Sequence, residues 1–230
     1  QQPLSFQRRC EDSFLPWIAK YDSVYHYGTT ASRVKVKGES RRSSLHDHSL
    51  TVGQLTLGPN QFDNGVIEAM YNASNFEPLA LALAGLEHWN TATVAEKKAV
   101  NQLYGTYLSP SFMAEYYAVS CNDTPWSRDP SYWVARSGKD SKAYPLVGSR
   151  VLEFSTPCAY WPYHPPTPLK ITGSGLPPIL MLNSTHDPAT SYEGAVRAHR
   201  QLHNSRLVTV TGGGDHGQYL NKNACVDGVV

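Results

Sequence analysis

ILMLNSTHDPATSYEGAVRAHRQLHNSRLVTVTGGGDHG, residues Ile179 to Gly217, decides the fold class of this chain. The runs PPILMLNS and SRLVTVTG are short, unbroken and apolar, the pattern of strands buried on both faces of a parallel sheet. Between them lies one helix, with Thr190 predicted to cap its first turn and Glu193 three positions on completing a capping box. Tyr192, Val196, His199 and Leu202 recur on one face of that helix. Strand, helix, strand is a βαβ unit, right-handed by default. Two parallel strands leave unpaired edges and an uncovered face, so the unit requires further strands to join.

Convincing strands are absent from the reading of residues 1–160. From Ser5 to about Ala118 the periodicity is helical. Phe62, Val66 and Met70 recur in QFDNGVIEAMYNA, and Leu79, Leu83 and Leu86 in EPLALALAGLEHW. AEKKAVNQLYGTYL continues the pattern, and SFQRRCEDSFLPWIAKY predicts an earlier helix interrupted near Pro16. The basic run RVKVKGESRR, Arg33 to Arg42, reads as a solvated loop rather than a phosphate site, since no aromatics interleave with it. Between Cys121 and Pro168, Pro, Trp, Tyr and Ser accumulate, which predicts a linker or an irregular, disulfide-tied segment.

Composition excludes several classes. With 40% hydrophobic and 17% charged residues among 230, the chain is globular rather than disordered. A formal charge of +1 offers no bulk attraction to nucleic acid or to an anionic membrane. No stretch reaches the roughly 20 apolar residues of a membrane span, and the opening QQPLSFQRRC lacks the apolar core of a signal peptide. Cys10, Cys121, Cys158 and Cys225 are too far apart for a C-x-x-C motif, so disulfides are expected before metal, with the three possible pairings open. His46 and His48, in LHDHS, read as exposed loop histidines. The sequons at Asn72, Asn122 and Asn183 fit an extracellular, secreted protein as well as they fit chance.

The chemistry lies at the carboxyl ends of the two strands, where loops of an open α/β sheet converge. Asp187 sits in the turn STHDPAT after the first strand. His216 follows Gly212 to Gly214 after the second, where glycines let the backbone turn sharply. An ionised Asp bonded to one ring nitrogen fixes the imidazole tautomer, leaving the other nitrogen to take a proton from a serine hydroxyl. Acid followed by histidine is the order of the last two triad members in α/β-hydrolases. The plainer reading is a helix-capping Asp beside a loop His.

GLPPILMLNSTHDPATSYEGAVRAHRQL, with SRLVTVTGGGDHGQYL and NACVDGVV, resembles the C-terminal segment of secreted bacterial tripeptidyl and prolyl aminopeptidases, serine exopeptidases of the α/β-hydrolase fold. AEYYAVSCNDTPW and CAYWP resemble the end of that family's helical cap, and SFQRRCEDSFLPWIAKYDSVYHYGTT resembles the segment after its sixth strand. The resemblance implies catalytic roles for Asp187 as triad acid and His216 as base, a cap disulfide between Cys121 and Cys158, and no cofactor or metal. Cys10 and Cys225 are then left to pair with each other or elsewhere. Ser191 stands where many relatives have proline at the first helical position, a small departure.

One departure is larger. A nucleophile elbow requires G-x-S-x-G between strand and helix, and the pentapeptide is absent from these 230 residues. Gly173-Ser174-Gly175 precedes a strand instead of following one. The expectation is therefore the cap and C-terminal portion of an α/β-hydrolase, with the nucleophile Ser on an N-terminal half that is a separate chain or a cleaved segment. The division expected is a core-flanking helix in 1–30, a mainly helical cap in 31–165 and the βαβ part of the core in 166–230. An aminopeptidase must hold its peptide substrate's charged N-terminus, and Glu77, Glu115 and Asp123 are the cap carboxylates that could do so. Tyr116, Tyr117, Trp126 and Trp161 either pack or form a slot for a proline-bearing peptide. The alternatives are an esterase or amidase of the same fold, and a non-catalytic binding module that has lost the nucleophile.

Overall fold

Pro16 does not break the N-terminal helix; the helix swells to absorb it. In the computed structural model, which describes residues 2–52, 55–104, 110–147, 150–167, 169–221 and 223–230, α1 (Gln2–Arg9) and α2 (Leu15–Lys20) are joined by a π turn at Cys10–Phe14. Proline lacks an N–H, and its ring collides with the carbonyl four residues back in a regular helix. The wider turn just ahead of it accommodates both defects. Phe6, Phe14, Leu15 and Ile18 are buried along this composite helix. A short α3 (Asp22–Tyr25) follows and ends on His26 at φ 51°.

The basic run from Arg33 to Arg42 is not a loop but the body of α4 (Ala31–Asp47), capped by Thr30, whose hydroxyl accepts from the Arg33 amide. Its cations have partners on three other segments: Lys35 with Glu11 at 2.7 Å, Arg41 with Glu87 at 2.9 Å and Arg42 with Asp63 at 2.7 Å. Val34 and Leu45 are buried beneath them. Few apolar residues were needed to seat the helix because long cationic side chains cover apolar surface with their stems, which is why no amphipathic pattern was visible. His46 bonds Asp47 at the exposed end of α4, and His48 is its C-terminal cap. A second difference is a small antiparallel pair, β1 (Leu50–Val52) and β2 (Leu55–Leu57), where no strand was read. Three residues per strand are too few to show alternation.

Helices α5 (Pro59–Met70), α6 (Phe76–Glu87) and α7 (Val94–Tyr104) follow the expected period. They bury Phe62, Val66, Met70, Leu79, Leu83, Leu86, Ala99 and Val100 in one cluster with the N-terminal helix. The rest of the stretch expected to continue α7, beyond Tyr104, lies outside the described residues to 109. Helix α8 (Pro110–Asp123) lies largely in the stretch expected to be helical, but the segment read as irregular, beyond Cys121, holds its last turn and two further helices, α9 (Pro130–Ala143) and α10 (Arg150–Ala159). Pro130 opens α9 directly after Asp129, whose carboxylate accepts from the Ser131 amide at 2.9 Å. A proline there costs no hydrogen bond, so the prolines taken as breakers are partly helix starts. Cys121 and Cys158 form a disulfide, Cα atoms 4.8 Å apart, tying α8 to α10.

Cys10 and Cys225 do not pair with each other; both are free, Cys10 buried and Cys225 exposed. Burial pushes the Cys10 thiol up to about 12, leaving only about one thiolate in 10⁴ at pH 8. A colorimetric thiol titration of the folded chain at pH 8 therefore counts one fast-reacting cysteine, Cys225, and a second only after denaturation. Two fast thiols in the folded state would contradict the packing of Cys10.

The C-terminal unit is β3 (Ile179–Ser184), α11 (Tyr192–Gln201), β4 (Ser205–Val210) and α12 (Ala224–Val229). The strands are parallel and in register from Ile179 opposite Ser205 to Ser184 opposite Val210. The cap of α11 differs from expectation by one residue: Ser191 Oγ accepts from the Gly194 amide, while the Thr190 hydroxyl turns back to Asp187 and Glu193 pairs with Arg8. Burial differs more. Among the described residues, Pro188 and Val226 are the buried apolar side chains after Ala159, and Leu180 in β3 is 45% exposed. Strands expected to be covered on both faces are thus only partly covered by this chain. What the unit does bury is polar: Asn183, Ser184, Asp187, Ser191 and Ser205.

Candidate active site

Parallel pairing of β3 and β4 delivers their following loops to the same rim. Three bonds lock the loops together: the Thr185 amide donates to the Val210 carbonyl, the His186 amide to the Gly213 carbonyl, and the Gly212 amide to Thr185 Oγ1. Gly212 has φ 71°, a left-handed conformation that side chains resist, and this turns the chain back across the end of β3.

Asp187 is 4% exposed. Its Oδ1 accepts from the amides of Ala189 at 2.9 Å and Thr190 at 2.8 Å, and its Oδ2 from the Thr190 hydroxyl at 3.0 Å. Three donors from its own turn fix the carboxylate plane. Asn183 steadies the turn by donating from Nδ2 to the Thr190 carbonyl, so its amide is buried and engaged, and the sequon there is closed to a glycan in this fold. Against the carboxylate stands His216, with Nδ1 3.1 Å from Oδ2 and 3.3 Å from Oδ1. The His216 side chain is 41% exposed. Among the described residues nothing is hydrogen-bonded to its Nε2, which leaves that nitrogen for a group outside them.

The His216 backbone is held from the helical side. Its amide donates to the Tyr71 carbonyl at 2.8 Å, and its ring meets the Tyr71 ring edge-on, centroids 5.7 Å apart. The neighbouring Asp215 carboxylate accepts from the Ala73 amide at 2.8 Å and from Arg9 Nη2 at 2.5 Å. Arg9 also donates to the Met70 carbonyl and to Ser13 Oγ, and lies over the Phe76 ring at 5.1 Å. Burial pulls the Arg9 guanidinium below its usual range, and Asp215 opposes that shift. Arg9, Tyr71 and Asp215 were all missed in the sequence. Asp215 was within reach, as the residue before the histidine in GGGDHG; Arg9, more than two hundred positions away, gave no signal.

The three cap carboxylates are not gathered at this pair. Glu77 is exposed in the first turn of α6, and Glu115 and Asp123 are exposed on α8. None shares a hydrogen bond or ion pair with Asp187 or His216. Trp126 packs on Trp133 and donates to the Ser120 carbonyl, and Trp161 donates to Asn122, so these two indoles serve packing here. Gly173-Ser174-Gly175 forms a turn before β3, as its position suggested. An apolar cavity of about 440 Å³, with Cys10, Tyr27, Phe62, Asp63 and Leu146 in its walls, lies among the helices and includes neither Asp187 nor His216.

Residues 144–230 match the family described as TAP-like protein. The tripeptidyl aminopeptidase of Streptomyces lividans is 30% identical over 229 residues, which are 98% of this chain and 42% of that protein. Carboxylesterase B of Mycobacterium tuberculosis is 30% identical over 174 residues, 72% of this chain and 33% of that protein. A serine protease of the same organism is 30% identical over 115 residues, 48% of this chain and 22% of that protein. The chain thus spans less than half the length of each of these relatives.

Proposed function

This chain belongs to the tripeptidyl aminopeptidase family, and we propose on that footing that it supplies the acid, the base and the covering helices of a secreted serine peptidase that releases short peptides from substrate N-termini. The observation that carries this reading is the Asp187 carboxylate on His216 Nδ1 with Nε2 left open. In the proposed reaction Asp187 stays ionised and holds the proton of His216 on Nδ1. His216 Nε2 removes the proton from a serine hydroxyl as its oxygen attacks the scissile carbonyl. The same proton then passes to the leaving amine, giving an acyl-enzyme and a shortened peptide. Water, deprotonated by His216 in turn, hydrolyses the acyl-enzyme and regenerates the hydroxyl.

The serine is assigned to a polypeptide segment outside these residues. Two observations support this: the absence of G-x-S-x-G from the sequence, and the apolar side chains Ile171, Leu176, Leu180 and Leu220 left exposed around the βαβ unit. Additional parallel strands joining β3 and β4 would cover such side chains and bring a nucleophile elbow to the same rim. For the substrate's ammonium group, Glu77 is favoured over Glu115 and Asp123. It follows Phe76, whose ring lies against Arg9, which holds Asp215 beside His216. The disulfide between Cys121 and Cys158 supports an oxidising, extracellular setting.

The match to a carboxylesterase over 72% of the chain supports a second reading, ester rather than peptide hydrolysis by the same groups. A fluorophosphonate probe tests the common mechanism in the assembled enzyme. The label is expected on a serine outside residues 1–230, and a label on any serine within them would overturn the assignment. Turnover of tripeptide anilides against short-chain esters then separates the two readings.

A further inference from the structure

The loop that carries His216 is tethered not only to the loop after β3 but also to helices that lie far from it in sequence. The His216 amide is held by the Tyr71 carbonyl, and the Asp215 carboxylate by the Ala73 amide and Arg9. Tyr71 and Ala73 belong to the link between α5 and α6, whereas Arg9 ends α1. The Arg9 side chain is 5% exposed, a costly position for a charge unless its donors are all engaged. Each of its three nitrogens makes a hydrogen bond, to Asp215, the Met70 carbonyl or Ser13, and the Phe76 ring lies on its face. The loop is cut to fit it: a Cβ on Gly214 would overlap the guanidinium.

We infer that Arg9 and Asp215 form a positioning pair for the catalytic base, fixing where His216 Nε2 stands relative to the attacking hydroxyl. The inference rests on the reading of His216 as that base. Asp187 controls which nitrogen carries the proton and the rotation of the ring about one hydrogen bond. It does not by itself fix the distance from Nε2 to a hydroxyl on another element. An ion pair on the preceding residue, braced by the bonds from the His216 amide to the Tyr71 carbonyl and from the Ala73 amide to the Asp215 carboxylate, restrains that distance, and displacement of about 1 Å is enough to cost about 10²-fold in rate. Because Arg9 lies on α1, the base is registered against the helices as well as against the sheet.

The test compares Arg9→Met, Asp215→Asn, the double variant and Gly214→Ala in the assembled, active enzyme. Each single change is expected to slow fluorophosphonate acylation and kcat by about 10- to 100-fold, with KM for a tripeptide anilide within about twofold. The double variant is expected to lose no more than the worse single one, as for two residues acting through one contact. Arg9→Lys keeps the charge without the forked geometry and should recover part of the rate. Arg8→Met, which removes a surface pair with Glu193, serves as the neighbouring control with unchanged kcat. Asp215→Asn keeps an acceptor for the Ala73 amide, so it provides the measurement if Arg9→Met does not fold. Variants with a lowered melting temperature but unaltered kcat would overturn the inference and leave the pair a structural clamp. If His216→Ala retains full acylation, it is the assignment of the base that fails.

Discussion

His216→Ala in the assembled enzyme is expected to abolish acylation, lowering kcat on the order of 10⁴- to 10⁶-fold while barely shifting the melting temperature. The side chain is 41% exposed, so its removal opens no cavity in the core. Asp187 keeps its donors from Ala189 and Thr190 after the change, and the loss of one further hydrogen bond to the carboxylate costs about 1.5 kcal/mol, because water reaches the space left by a part-exposed imidazole. The Tyr71 carbonyl is still met by the backbone amide at 216, because that bond does not involve the side chain. Chemistry and stability are thereby separated at this position. Fluorophosphonate labelling rate and thermal denaturation, measured on the same preparation, check both halves. Retained labelling would remove the base from the mechanism.

Asp187→Asn is expected to be nearly as harmful, on the order of 10⁴-fold in turnover, for a reason specific to this turn. The Ala189 and Thr190 amides require an acceptor at the position of Oδ1. The amide oxygen therefore stays there, and the NH₂ group takes the position of Oδ2, 3.1 Å from His216 Nδ1. A donor facing Nδ1 drives the ring proton to Nε2, the nitrogen that in the proposed reaction must be free to accept the serine proton. The geometry survives and the tautomer is wrong. Loss of kcat with KM altered by no more than a few-fold is the expected pattern. A variant that turns over at the original rate would show that the carboxylate does not orient the imidazole.

How much of this was legible depended on how local the cause was. Asp187 and His216 could be read because each follows a run whose apolar, unbroken character marks a strand of a parallel sheet, and because glycines mark the turn before the histidine. The helices α5, α6 and α7 could be read from their period. Helix α4 could not, since its stability comes from Glu11, Asp63 and Glu87 on other segments and from side-chain stems that register as polar in any local window. The prolines of the 121–168 segment read as breaks in any local window, yet Pro130 sits in the first turn of α9, where the missing N–H costs no hydrogen bond. Position in the sequence makes Thr190 the expected cap of α11. Its hydroxyl goes to Asp187 instead, because a buried carboxylate competes for the donor more strongly than a backbone amide needs the acceptor.

The sequence by itself determined the βαβ unit, the order of acid and histidine at its rim, and the family, all of which follow from patterns spanning a few tens of residues. Only the tertiary structure decided that Asp187 meets Nδ1 of His216, that Cys10 and Cys225 stay apart, and that Arg9 reaches across the molecule to hold the residue beside His216. Strand and helix periods are short-range and printed in the chain. The partner of a buried charge is chosen by desolvation, which exists only once the segments have packed.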